Sequence, residues 1–216
     1  MATNRQYLKK YIKHLILSIV ILSISSCSFV IKKWEGIKDP NIETQKSITK
    51  YSKTLTIDSA LITFAKDPTC LKELNIFFVG SPEILIFNNN KKQLPYKADG
   101  ITCNANINYT LENICKIDSV FFNDRRNIHY DSLISCLADP NHCISSFSLK
   151  QFDYIVFICF AKYTDGINKT HLIPWNKTIK ESKNNCRVKY IYVDLDYSDT
   201  WGISNNSLPK IRIKLF

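Results

Sequence analysis

The chain has 216 residues, 45% of them hydrophobic, and a formal net charge of +10, which allows a packed core and argues against a disordered chain. Four of the basic residues (Arg5, Lys9, Lys10, Lys13) fall in the first 26 positions, where there is no acidic residue, and setting them aside lowers the charge from +10 to +6. The rest is spread in short groups such as Lys32-Lys33 and Lys91-Lys92, not gathered on one face with interleaved aromatics, so nucleic acid is not an expected partner.

Residues 8–27 read as a basic lead, an apolar core over 15–24, and small residues ending at Cys27. An apolar core of about 7–15 residues closed by small residues is the pattern of an export signal, too short for a comfortable membrane span. The ending Ile24-Ser25-Ser26-Cys27 is similar to the bacterial lipobox. The resemblance implies cleavage before Cys27 and diacylation of its thiol. The expected protein is a lipoprotein of the bacterial cell envelope, held by its lipid and facing the periplasm. Ser28 lacks the acidic character of an inner-membrane retention signal, which favours the outer membrane. The competing reading is an uncut signal anchor, and both readings put the later residues outside the inner membrane.

The expected organisation is a signal over 1–26, a lipid-anchored tether over 27–55, and a single α/β domain over 56–216. Asp58-Ser59 caps a predicted helix over 60–66, which Asp67-Pro68 ends. Apolar runs over 74–79 and 83–87 predict strands. Asn88 to Lys92 is turn chemistry, and 93–97 returns antiparallel as an edge strand containing Pro95. Residues 110–117 and 130–137 predict short helices, with Asp139-Pro140 opening a turn. Residues 153–160 and 188–195 read as strands buried on both faces, joined by an amphipathic helix over 168–183 interrupted at Pro174. That is a βαβ unit in a mostly parallel sheet. Residues 210–216 alternate as a final edge strand.

Eight cysteines are present. With Cys27 assigned to the lipid, the short spacings Cys103–Cys115 and Cys136–Cys143 suggest two local disulfides in an oxidising compartment. Cys159, inside an apolar run, reads as a buried small hydrophobe. The chain has no CxxC, and His129 and His142 lack paired Cys at ligand spacing, so neither a metal nor a cofactor is expected. Glycine is scarce, and no GxSxG or HExxH occurs. Asp124-Arg125-Arg126 with His129 and Tyr130 reads as a solvated turn. Asp194 and Asp196 stand i, i+2 at the C-terminal end of a strand, where open α/β sheets often seat ligands. A cation or polar ligand there competes with a plain solvated strand end.

Residues 153–216 resemble the thioredoxin-like fold. Phe160-Ala161-Lys162-Tyr163 stands where that family ends a strand in Phe-x-Ala-x-Trp. Val193-Asp194-Leu195-Asp196 is similar to its V-D-x-D, and Trp201-Gly202-Ile203 to its Tyr-Gly-Ile/Val. Leu208-Pro209 falls near its cis-proline. At the helix start, where the family carries Cys-x-x-Cys, this chain has Thr164-Asp165-Gly166-Ile167, so the dithiol mechanism does not carry over. The family's fourth strand would have to come from the earlier hairpin at Ser81-Pro82-Glu83, a rearranged topology. The expected function is therefore a non-enzymatic, membrane-tethered domain that binds an unidentified protein partner. The alternative is an exported thiol-redox accessory protein working through Cys103/Cys115 or Cys136/Cys143.

Overall fold

A computed structural model describes residues 32–78, 81–94, 107–119 and 128–211. The expected lipidation site Cys27, and Cys103, lie outside them, as do Asp124, Arg125 and Arg126. So do residues 212–216 of the expected final strand. Among the described residues no helix is long and apolar enough to cross a membrane.

The elements run in chain order as β1 (Ile42–Glu43), α1 (Gln45–Thr54), β2 (Ile62–Ala65), α2 (Pro68–Phe77), β3 (Glu83–Asn88), β4 (Gln93–Leu94) and α3 (Ile107–Glu112). There follow α4 (Tyr130–Ser135), β5 (Leu137–Ala138), β6 (Tyr154–Phe160), α5 (Asp165–Glu181), β7 (Val188–Asp194) and β8 (Tyr197–Ser198). Six strands form one sheet in the order β4-β3-β6-β7-β2-β5, and β1 pairs with β8 in a small second one. The expected parallel, adjacent pairing of β6 with β7 is present, with Phe157 opposite Ile191. β7 pairs parallel with β2, but β3 lies antiparallel on β6, β4 on β3 and β5 on β2. The sheet is therefore mixed rather than mostly parallel.

The two faces of β6 explain its unbroken apolar sequence. Tyr154, Val156, Ile158 and Phe160 pack with Ile48 and Leu55 from α1, Leu111 from α3, and Leu172 and Trp175 from α5. Ile155, Phe157 and Cys159 pack on the other face with Leu71 and Leu74 from α2 and Leu133 from α4. A strand covered on both sides needs apolar residues at every position. Cys159 is fully buried, as expected. Helix α5 presents Asn168, Leu172, Trp175 and Asn176 inward, a spacing of one helical face. It runs through Pro174 without a break, because its buried side chains lock it to the sheet on either side of the proline.

Four local expectations are corrected. The expected cap at Asp58 is present, accepting from the Ala60 amide at 3.0 Å, but it opens only the single 3-10 turn Ser59–Leu61. Ile62–Ala65 form the strand β2 in place of a helix, and residues 74–77 finish helix α2 instead of starting a strand. Asp-Pro was read as a stop signal, but it equally well opens a helix. Asp67 caps the N-terminus by accepting from the Cys70 amide at 2.8 Å, and Pro68 occupies the first turn. The segment expected to be a tether is folded in from β1 onward, with Ile48, Ser52 and Leu55 of the α1 region fully buried. The described cis-proline bond is Ser81–Pro82, ahead of β3, and not Leu208–Pro209.

The disulfide expectation is also overturned. Cys115 is bonded to Cys186, with Cα atoms 5.6 Å apart, and Cys136 and Cys143 are both buried free thiols. Sequence proximity favoured short loops, whereas the packing brings the turn after α3 against the loop between α5 and β7. The bridge spans 71 residues of chain. Loop-closure arguments give such a crosslink about 4 kcal/mol of stabilisation. Replacing Cys115 and Cys186 together with Ser is expected to lower the unfolding free energy by that order, read as a fall in the denaturant midpoint at unchanged pH. An unchanged midpoint would show that the bridge contributes nothing to the folded state.

Candidate functional site

The C-terminal ends of β2, β6 and β7 lie side by side, because all three run parallel. Just past that edge the chain places Lys162 after β6 and Asp196 after β7. Asp194 closes β7, and Glu43, Ser47 and Tyr51 arrive from β1 and α1. Asp194 and Asp196 are not a solvated strand end: they are 3% and 4% exposed.

Polar groups taken from water at this edge satisfy one another. The Lys162 amide donates to Asp196 Oδ2 at 2.6 Å. Its ammonium donates to Glu43 Oε2 at 2.7 Å and to Ser47 Oγ at 2.8 Å, and Ser47 Oγ donates to the same Glu43 oxygen at 2.6 Å. Asn168 Nδ2 reaches Ala161 O at 2.7 Å and the Tyr51 hydroxyl at 3.0 Å. Thr164 Oγ1 donates to Ala161 O at 2.8 Å and lies 3.4 Å from Ser81 Oγ. The helix start that carries no thiol is thus closed by hydroxyl and amide contacts. The segment after residue 32 also straps this start: Lys38 N donates to Tyr163 O at 2.7 Å. Gly36, at φ +63°, meets Gly166 backbone to backbone, where a Cβ on either residue would collide with the other.

Asp194 and Asp196 lie close enough to shift each other's titration. Burial, then the Asp196 charge, pushes the Asp194 carboxyl well above the usual carboxylate range. Burial pushes Asp196 up to about 6, while its interactions with Asp194 and the Lys162 amide hold it lower. Two like charges so close and so dry cannot both ionise at neutral pH. Asp194 therefore keeps the proton. Its Oδ1 is buried and has no hydrogen-bond partner.

Two concavities flank this pair. One, of about 350 Å³, is walled by Lys38, Glu43, Tyr51, Lys162, Asp165 and Asp196 among others. The other, of about 170 Å³, lies between Asp194, Asp196, Phe64, Tyr197 and Trp201. The lining of the first holds both carboxylates and ammonium groups, joined in the ion pairs Lys162–Glu43 and Lys169–Asp165. Among the described residues no group of three or more His, Cys, Asp or Glu is placed to hold a metal ion. His129 stands at the start of α4 without a side-chain cap, and Tyr130 is buried edge-on to Phe87, away from this site. Of the expected site residues that lie among the described ones, the structure brings Asp194 and Asp196 together at this edge. Sequence reading missed Glu43 and Tyr51, because their segment read as a tether, and Lys162, which was seen only as part of a strand-end motif.

The raised carboxyls fix the sign of a pH dependence. A carboxyl whose folded pKa exceeds its unfolded value gives stability that is complete below the unfolded pKa and lost as pH rises through the folded one. Stability should therefore fall from about pH 4 through about pH 6 and above, with Asp196 alone contributing about 3 kcal/mol at roughly 1.4 kcal/mol per unit. Asp194→Asn should flatten that fall in urea titrations run at a series of pH values. A wild-type profile that rises across this window would contradict the buried acid pair.

No family model, no curated protein and no solved structure matches the chain.

Proposed function

We propose that this chain is a bacterial lipoprotein whose exported domain is a non-enzymatic binding module, with its ligand seat at the C-terminal edge of the parallel strands. The observation that carries the reading is the cleft of about 350 Å³ walled by Glu43, Lys162, Asp165 and Asp196. Its polar groups are held in fixed positions by one another, as recognition requires. The wall supplies both anionic and cationic groups, which suits a small polar ligand, or a peptide end, carrying both charges.

Several features support a thioredoxin-like sheet of rearranged order. The β6-α5-β7 unit is parallel, the β3–β4 hairpin lies antiparallel against the far side of β6, and β2 lies parallel beyond β7. The hairpin thus takes the place of the family's later strands although it comes earlier in the chain. Envelope localisation draws support from the lipobox-like Cys27 and from the Cys115–Cys186 bridge, since such bridges persist in oxidising compartments. Of the two pairs named for the thiol-redox alternative, the first is not supported, because Cys115 is bonded to Cys186, and the second consists of two buried free thiols, Cys136 and Cys143.

The anchor and the seat are tested separately. Cys27→Ala should accumulate as uncut precursor without acyl mass; a wild-type chain that is itself full-length and unacylated, with detergent partitioning unchanged by the substitution, would establish the uncut signal anchor instead. For the seat, titration with a panel of free amino acids, the smallest ligands bearing both charges, should give a saturable rise in Tm for at least one member. Glu43→Gln should abolish that rise. A panel without any shift, or a shift indifferent to Glu43, would remove the cleft from the account.

A further inference from the structure

Among the described residues the most exposed large apolar side chain is Trp34, at 85%. It sits in the helical turn of residues 32–34, directly after Lys32 and Lys33. Single exposed apolar side chains are ordinary on a protein surface, and it is the place of this one that gives it meaning. Trp flanked by Lys suits a membrane–water interface, where the ring lies at the headgroups and the ammonium reaches water or phosphate.

The turn is fixed to the domain. Ile37 N donates to Lys32 O at 2.8 Å, and Lys38 N to Tyr163 O at 2.7 Å. Lys32 Nζ is paired with Asp39 Oδ1 at 2.8 Å, and the same oxygen accepts from Ile211 N at 3.0 Å. Gly36 meets Gly166 backbone to backbone. Trp34 therefore moves with the sheet and helices, not apart from them.

Reach then decides what this surface faces. Four residues, 28–31, separate Cys27 from Lys32. Five steps of extended chain span at most about 18 Å, and the headgroup layer takes up about 5–8 Å of that. A tether over 27–55 would let the domain stand well clear of the bilayer, whereas a chain folded from Lys32 onward cannot. An uncut anchor over residues 15–31 leads to the same geometry, because Lys32 then follows the span directly. The charge is of the fitting sign. Lys32, Lys33 and Lys38 outnumber Glu35 and Asp39, and Lys210 stands beside the Ile211 amide that bonds Asp39. A concavity of about 390 Å³ lined by Lys32, Lys33, Gly36, Ile37, Lys38 and Asp39 leaves room there for a lipid headgroup.

We infer that residues 32–39 form a docking surface for an anionic lipid bilayer, with Trp34 at the headgroup level and Lys33 and Lys38 against the lipid phosphates. The inference rests on the reading of the N-terminal segment as a membrane anchor. Lys38 also lines the proposed ligand cleft. Docking therefore holds that cleft beside the bilayer, and its ligand is met at the membrane surface and not at the end of a long tether.

The test uses the full-length chain, produced in a bacterium that processes lipoproteins and reconstituted into vesicles of phosphatidylethanolamine and phosphatidylglycerol. Intact mass states whether the chain is acylated or uncut. Subtracting the emission of Trp34→Phe from that of wild type isolates Trp34 from the buried Trp175 and the half-buried Trp201. Lipids brominated near the headgroup end of the acyl chain should quench this difference signal, and quenching by aqueous acrylamide should be lost. Lys33→Ser, at an exposed position, should shift the balance about fivefold toward undocked protein, the weight of one lysine at an anionic surface. Vesicle-held protein whose Trp34 is quenched by acrylamide and untouched by the brominated lipid would overturn the docking and leave the anchor standing. Protein that does not stay with the vesicles would overturn anchor and docking together. Equal docking on vesicles of phosphatidylcholine alone would overturn the part given to the lysines.

Discussion

The parallel pairing of β6 with β7 is the constraint from which the rest of the molecule takes its geometry. Seven residues of each strand face one another, from Tyr154 opposite Val188 to Phe160 opposite Asp194. β6 is buried along its whole length. Helices α1, α3 and α5 cover one face of the sheet, and α2 and α4 cover the other. Because the two strands run the same way, their C-terminal ends emerge together. The polar residues that follow, Lys162 on one strand and Asp194 and Asp196 on the other, then meet at a single edge.

Once they meet there, desolvation decides their chemistry. Two aspartates less than a tenth exposed, with Glu43 nearby, must either neutralise or pair. Both solutions are used. Asp194 holds a proton against Asp196, while Lys162 neutralises Glu43 and gives its amide to Asp196. The same network ties the N-terminal helix to the sheet. Asn168 bonds to Tyr51, and Asn176 donates to Leu55 O at 2.7 Å while accepting from the Tyr192 hydroxyl. Buried polar contacts of this kind specify position as much as they stabilise. They help explain why Gln45–Thr54, expected to be part of a tether, is an integral part of the fold.

Much of the central layer was legible in the sequence. The run at 154–160 has no polar interruption that would allow a solvated face, the run at 188–194 is broken only by Lys189 before its closing Asp194, and the Asn-rich turn between β3 and β4 announces its hairpin. What could not be read locally was anything set by distant neighbours. Strand sense is one example: β3 pairs antiparallel with β6, and nothing within Glu83–Asn88 encodes that choice. The pairing of Cys115 with Cys186 is another, since it depends on where α3 and the end of α5 come to rest. Residues 60–66 and 74–77 were misassigned because short apolar runs fit both periodicities and because Asp67-Pro68 serves as readily for a helix start as for a stop. The acid pair was recognised by its spacing, but its burial required β1 and α1, which had been read as tether.

The central claim is that the parallel strand ends hold a dry, proton-retaining carboxyl pair, one member of which, Asp196, lines the proposed ligand cleft. Carbon-13 NMR titration of the side-chain carboxyls reads this directly, residue by residue. The account predicts that Asp194 remains protonated at neutral pH, that Asp196 titrates at about 6, and that the Asp194 signal moves when Asp196 ionises. If both carboxyls titrate near 4 and independently, like solvated aspartates, the strand ends are open to water and the account of the site is wrong.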